Sequence, residues 1–383
     1  MKLALIFVFI TALIIGVSYG MHGPVLPVFA KNDIGANYSE LGFIGFANFI
    51  PYMFIPLFVG VLLDRFNNGY LLALGAMINS SSIYLLSVAQ SVPEIMAFRI
   101  MTGIAHAFFW PPCQSIISNI STDKTRVRNL SLFTMFFVIG FMIGPLAGSI
   151  LLEDVNTTYR VLFQITGFVL ATAIISAILV SKRNITNNQE NFSFAALKEI
   201  RKFPTIVILV IFFTATFGII LSIYPAFLDD SGMSDNDILL IYFVFGISRV
   251  VTLVFGGKLS KITSTALVAC ALTVAGGLLF SVIAETTLEF SVAMLLMGFG
   301  FGVFSPLTLG VVLSRTRKAI SGKVIGSYET VFGIGWVVGP TIGGPLIESY
   351  GNEAAYFVFG IIGIGIAILA GIKRKRLEPK VFS

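Results

Sequence analysis

Charge is the first scarcity in this chain. Asp, Glu, Lys and Arg together make up 11% of its 383 residues, against about a quarter in ordinary soluble domains. A soluble chain of that length would fold as two or three domains with charged surfaces, and there is too little charge here to cover them. Cysteine and histidine are scarcer still, with two of each. Cys113 and Cys270 sit in separate apolar runs, which argues against a disulfide framework, a zinc site or thiol redox chemistry. His22 and His106, with Glu329 the one carboxylate lying well inside an apolar run, fall short of the ligand clusters a membrane-embedded metalloenzyme needs. No enzyme, cofactor or metal is therefore expected. The lack of a Gly-xxxx-Gly-Lys-Ser/Thr loop argues against nucleotide-driven pumping.

What is abundant is apolar. Hydrophobic residues form 56% of the chain, with 37 Phe and 37 Gly, and the mean hydropathy is +0.93. Runs of about 20 apolar residues are long enough to cross a bilayer. Twelve are present, over roughly 4–30, 40–63, 70–89, 94–119, 130–152, 159–181, 204–228, 237–258, 265–284, 289–313, 324–347 and 354–372. The first is too long for a signal-peptide core and lacks a small-residue cleavage site, so it reads as a span. The one long connection, 182–203, predicts a linker between residues 1–181 and residues 204–383.

With both termini cytoplasmic, 21 of the 25 Lys and Arg residues fall on the inner side, and Asp229, Asp230, Asp235, Glu285, Glu289, Glu348 and Glu353 fall outside. That separation follows the positive-inside rule. It also places the net charge of +6 against the cytoplasmic membrane face rather than on a nucleic-acid surface.

The chain repeats itself. Gly140, Gly144, Pro145 and Gly148 of the fifth span recur 195 positions later (335 − 140) as Gly335, Gly339, Pro340 and Gly343 of the eleventh. Gly103 and Pro111 recur at the same offset as Gly298 and Pro306. Small residues four apart let two helix backbones approach closely, and an internal proline bends the helix by removing one hydrogen bond. An all-α membrane protein of two pseudo-symmetric six-helix bundles is the expected fold.

Three motifs make the chain resemble the major facilitator superfamily over essentially its whole length: Gly60-Val-Leu-Leu-Asp64-Arg65-Phe-Asn-Asn-Gly69 after the second span, Arg99-Ile-Met-Thr-Gly103 in the fourth, and the Gly-Pro stretch of the fifth. The resemblance implies a cytoplasmic latch at Gly60, Asp64 and Arg65, weakened here because Asn67 and Asn68 stand near where basic residues are usual. It implies antiport and efflux from the Gly-Pro stretch.

Ionisable groups inside spans are costly and mark function. Arg99, His106 and Cys113 share one face of the fourth span, because seven residues bring a helix round to within about 20°. Glu329 is the candidate proton carrier, and His22 of the first span and His106 of the fourth are further titratable candidates. Arg249 stands close to the middle of the eighth span, and Met53 takes roughly the equivalent place in the second. Tyr19, Arg99, Thr216, Tyr224, Arg249, Phe301 and Ser305 are the candidate cavity residues. The expected function is alternating-access transport of a small lipophilic or amphiphilic solute across the cell membrane, proton-coupled and outward, by a monomer in the lipid bilayer. An anion carrier centred on Arg249 and Arg99 is the alternative, and a non-transporting receptor a distant one.

Overall fold

The computed structural model describes residues 2–121, 123–154, 157–181, 200–316 and 321–379. Most of the 182–203 connection and the side-chain placement at positions 60 and 64 lie outside the described residues. All regular structure among the described residues is helical. The first span is two helices, Lys2–His22 and Leu26–Asn32. The second to sixth are Tyr38–Arg65, Asn68–Leu86, Val92–Ala107 with Trp110–Ile120, Asp123–Leu152 and Tyr159–Ser181. The seventh to twelfth are Pro204–Ser222 with Tyr224–Asp230, Asp235–Val254, Thr263–Ser281, Thr287–Ser314, Ser321–Tyr350 and Ala354–Ile372. Ten described helices are long and apolar enough to cross a membrane. The second span and the broken fourth complete the set of twelve segments.

Proline decides where the spans break. Pro27 and Pro225 each occupy the second position of a short helix, where their missing N–H costs nothing. These two helices are both seven residues long and stand 198 positions apart (224 − 26). Gly35 and Gly232 follow them at φ +82° and +84°, a left-handed conformation that ends each turn and suits glycine. The fourth span breaks at Phe108 and Phe109 ahead of Pro111 and Pro112.

The molecule divides into two compact units. Unit 1 comprises Met1–Ala36, Phe43–Phe192 and Ser234–Phe243; unit 2 comprises Asn37–Gly42, Ser193–Met233 and Val244–Ser383. In unit 1 the first span packs along the fifth and the third along the sixth. In unit 2 the seventh packs along the eleventh and the ninth along the tenth and twelfth. Phe58, Phe168, Ile175, Val254 and Ile368 stand exposed, as the lipid-facing side of a membrane helix requires.

The glycine motif does the same work in each unit. A Cβ on Gly144 would meet the Val17 carbonyl oxygen and come 2.6 Å from the Gly20 Cα. One on Gly339 would meet the Ala215 carbonyl oxygen and come 2.8 Å from the Ala215 Cα. Only glycine permits either approach, and without a hydrophobic drive between helices in lipid this close backbone packing carries the association. Buried hydroxyl pairs pin other contacts: Thr11 Oγ1 with Ser176 Oγ at 2.6 Å and Ser82 Oγ with Thr102 Oγ1 at 2.7 Å in unit 1, and Tyr224 Oη with Ser281 Oγ at 2.7 Å in unit 2.

The start of the second span belongs to unit 2. There the Tyr38 hydroxyl donates to Asp230 Oδ2 at 2.6 Å and the Tyr38 backbone N–H donates to Glu348 Oε2 at 3.0 Å. The start of the eighth span belongs to unit 1, where the Tyr159 hydroxyl donates to Asp235 Oδ1 at 2.6 Å and the Ser149 hydroxyl donates to Asn236 Oδ1.

Candidate solute and ion sites

Equivalent positions of the two units follow from the contacts glycines make. Gly103 approaches the Asn48 carbonyl oxygen and Pro51, and Gly298 approaches the Phe245 carbonyl oxygen and Ser248. The second and eighth spans therefore match at an offset of 197 (245 − 48). Gly140 and Gly144 reach the carbonyl oxygens of Leu13 and Val17, and Gly335 and Gly339 reach those of Ile211 and Ala215. The first and seventh spans match at 198 (215 − 17). Arg249 thus answers to Tyr52, one residue before Met53.

In unit 1 this register gathers a polar cluster. Tyr19 packs on His106 with ring centroids 4.7 Å apart and planes tilted by 31°, lies 5.3 Å from the His22 ring, and donates its hydroxyl to Asn79 Oδ1 at 3.4 Å. Tyr52 meets His106 edge-on at 6.4 Å. His22 Nδ1 lies 2.7 Å from the Ser18 carbonyl oxygen and so donates to it, which leaves Nε2 as an acceptor, buried and without a partner. Arg99 is within electrostatic reach of Tyr19, His22 and His106. Only 9% of its surface is exposed, so its side chain turns into the unit instead of reaching up to lipid headgroups. Its Nε has no hydrogen-bond partner, and no carboxylate pairs with it among the described residues. The structure therefore brings together Arg99, His22, His106 and Tyr19. Cys113 is buried farther along the same span.

In unit 2 the same locus is aromatic. Phe217 stands where unit 1 has Tyr19, Phe301 where it has His106 and Phe245 where it has Asn48. The ring pair Phe217–Phe301, 5.1 Å apart, repeats the Tyr19–His106 contact. Phe213 stacks on Phe304 at 4.4 Å and Phe304 on Phe332 at 5.5 Å, with Trp336 edge-on to Phe332 at 6.0 Å. The Arg249 guanidinium lies over the rings of Phe217 and Phe245, 5.1 and 5.4 Å from their centroids. Stacking of this kind offsets part of the desolvation of a buried cation. Met294 occupies the place of Arg99 and is fully buried.

The remaining candidates are placed as follows. Glu329 is half-buried in unit 2 on the helix Ser321–Tyr350. Its neighbour Tyr328 is fully buried, with its hydroxyl 2.6 Å from Thr308 Oγ1 and donating to the Ser305 carbonyl oxygen at 3.3 Å. The Thr216 hydroxyl is buried without a hydrogen-bond partner. Tyr224 is taken up by packing, its hydroxyl on Ser281 and its ring edge-on to Tyr356 at 5.2 Å. Arg65 is exposed at the end of its helix. Asn79, Tyr52, Phe217, Phe245 and the Phe213–Phe304–Phe332 stack escaped the reading of the sequence. The signal that would have found Tyr52 and Phe217 is the repeat, taken with its own offset for each pair of spans.

Comparison with known proteins agrees with this architecture. The family model described as Major Facilitator Superfamily matches residues 8–340 and 267–382. The chain is 26% identical over 380 residues to Quinolone resistance protein NorA of Staphylococcus aureus (strain Mu50 / ATCC 700699), covering 94% of each. It is 26% identical over 360 residues to Multidrug resistance protein 1 of Bacillus subtilis (strain 168), covering 91% of each. Among solved structures, the nucleoside transporter NupG superposes with a TM-score of 0.78 at 14% identity, over 98% of this chain and 100% of that one. A bacterial homolog of the human lysosomal transporter Spinster, inward-facing and unoccupied, superposes at 0.75 with 16% identity, over 99% of this chain and 98% of that one.

Proposed function

Since this chain belongs to the major facilitator superfamily of multi-pass membrane transporters, we propose that it exports a lipophilic or amphiphilic solute across the cell membrane in exchange for protons. The observation that carries this reading is the aromatic wall of unit 2. Phe213, Phe217, Phe301, Phe304, Phe332 and Trp336 present stacked and edge-on faces suited to a flat apolar body. The drug-resistance names of the relatives support the same class of solute and the outward direction.

Glu329 is the proton carrier in this account. A half-buried carboxyl loses its proton readily when wetted and holds it when dried, so a change of access changes its occupancy. His22 and His106 are secondary proton sites. Asp64 and Arg65 form the cytoplasmic latch, through the attraction of an acidic side chain for a helix N-terminus. One chain supplies both units, and a monomer is the transporting species.

Proteoliposomes test the reading. A pH gradient is imposed and the flux of a fluorescent aromatic solute followed, with the membrane potential clamped by potassium and valinomycin. The expected result is gradient-driven flux in the parent and none above the protein-free blank in Glu329→Gln. Gradient-independent flux, undiminished in Glu329→Gln, would overturn proton coupling through this residue.

A further inference from the structure

Arg99 is not needed to build its helix packing. Its repeat equivalent 195 positions on (294 − 99), Met294, is fully buried at the same place in unit 2. The parent protein nevertheless keeps a cation there, at the cost of desolvating it, and gives it no carboxylate among the described residues. Among the described residues, Arg99 acts electrostatically on Tyr19, His22 and His106, none of which is acidic at neutral pH. Around it stand groups that can donate: the guanidinium, the Tyr19 hydroxyl, now on a long 3.4 Å bond to Asn79, and the half-buried His106 ring, which makes no hydrogen bond among the described residues. Donors clustered on an unneutralised fixed cation form the chemistry that binds an oxyanion.

We propose that this buried cluster of unit 1, built on Arg99 with Tyr19, Asn79 and His106, binds the negatively charged oxygen group of a solute: a carboxylate, sulfonate or phosphate. The inference deepens the transporter reading by assigning its solute a negative charge, and it rests on that reading for access to the cluster. Arg249 plays no part in it. That guanidinium lies in unit 2 over the rings of Phe217 and Phe245, whereas Arg99, Tyr19, Asn79 and His106 all belong to unit 1.

The test is equilibrium binding to the purified full chain in lipid nanodiscs, with no gradient, using three probes of one shape: naphthalene-1-sulfonate, 1-naphthalenemethanol and 1-naphthylmethylammonium. The sulfonate is expected to bind at least tenfold more tightly than the alcohol, and the ammonium more weakly than either. Arg99→Met, which installs the residue of the other repeat, is expected to erase the sulfonate preference while leaving alcohol affinity within twofold. Arg249→Met is expected to keep it. His106→Phe, which copies Phe301 of the other repeat, is expected to reduce the preference and guards against a misfolded Arg99→Met. Competition by inorganic phosphate at millimolar concentration would show that a free oxyanion shares the site; sulfonate binding that resists phosphate would assign it to organic anions. Equal affinities for sulfonate and alcohol, or a preference that survives both Arg99→Met and His106→Phe, would overturn the proposal. Because no flux is measured, failure here leaves proton coupling standing, and failure of coupling leaves this binding result standing.

Discussion

Replacing Gly339 by Ala adds one methyl group where the eleventh span crosses the seventh. The new Cβ would lie 2.6 Å from the Ala215 carbonyl carbon and 2.8 Å from its Cα. Carbon atoms not bonded to each other settle near 3.5–4.0 Å, so the two backbones must part by about 1 Å. Backbone cannot rotate away as a side chain can, and parting the helices loosens every contact along the crossing. Overpacking of this kind costs about 1–3 kcal/mol, and the rigid obstacle places this case at the upper end. Gly310→Ala is the control, since a Cβ there meets nothing within 4 Å, and alanine is the better helix former by about 1 kcal/mol. The assay is thermal unfolding in one detergent, followed by the fluorescence of a thiol-reactive dye that reports on buried Cys113 and Cys270. Gly339→Ala is expected to melt several degrees below the parent, and Gly310→Ala at or above it. Gly144→Ala, at the matching crossing of unit 1, is expected to fall with Gly339→Ala. Equal melting of Gly339→Ala and Gly310→Ala would refute the claim that the repeated motif exists for backbone contact.

Other perturbations have equally definite outcomes. Arg249→Lys keeps the charge but loses the flat stack on Phe217 and Phe245; a loss of about 1–2 kcal/mol is expected as a lower melting temperature. Tyr38→Phe deletes a hydrogen bond to a carboxylate, worth about 1.5–3 kcal/mol when shielded from water; it should lower thermal stability, whereas Tyr70→Phe, at an exposed ring, should not. Phe217→Ala and Phe301→Ala each remove a ring of the unit 2 aromatic cluster and are expected to weaken 1-naphthalenemethanol binding about tenfold, measured by equilibrium dialysis, while Phe168→Ala on the exposed surface leaves it unchanged.

Much of this was written in the sequence because membrane spans are read from composition and length alone, and because the chain states its repeat twice. The positions of Gly140, Gly144, Gly335 and Gly339 announce close helix contact before any coordinate is known. Their partners do not: the offset is 195 between the fifth and eleventh spans, 198 between the first and seventh, and 197 between the second and eighth, since the loops between spans differ in length. The sequence sets Met53 only roughly opposite Arg249, and the single offset of 195 would give Phe54, where the packing of Gly103 and Gly298 selects Tyr52. Arg99 and His106 were legible as one helical face, but His22 and Tyr19 lie more than 70 positions away in the chain and join them only by tertiary packing. Phenylalanine was the least legible of all. With 37 of them, periodicity does not separate the rings of the unit 2 cluster from those that merely face lipid.

If solute leaves in exchange for protons, the proton itself reports it. Proteoliposomes carrying a trapped pH dye are loaded with each of the three naphthalene probes in turn, diluted into probe-free buffer, and watched as solute runs out with the membrane potential clamped. Exchange predicts that the lumen acidifies in step with the exit of at least one probe, that a standing gradient of one pH unit holds about a tenfold solute ratio for one-for-one exchange, and that Glu329→Gln abolishes the acidification. Solute leaving through the parent protein while lumenal pH stays at the protein-free baseline would contradict the account.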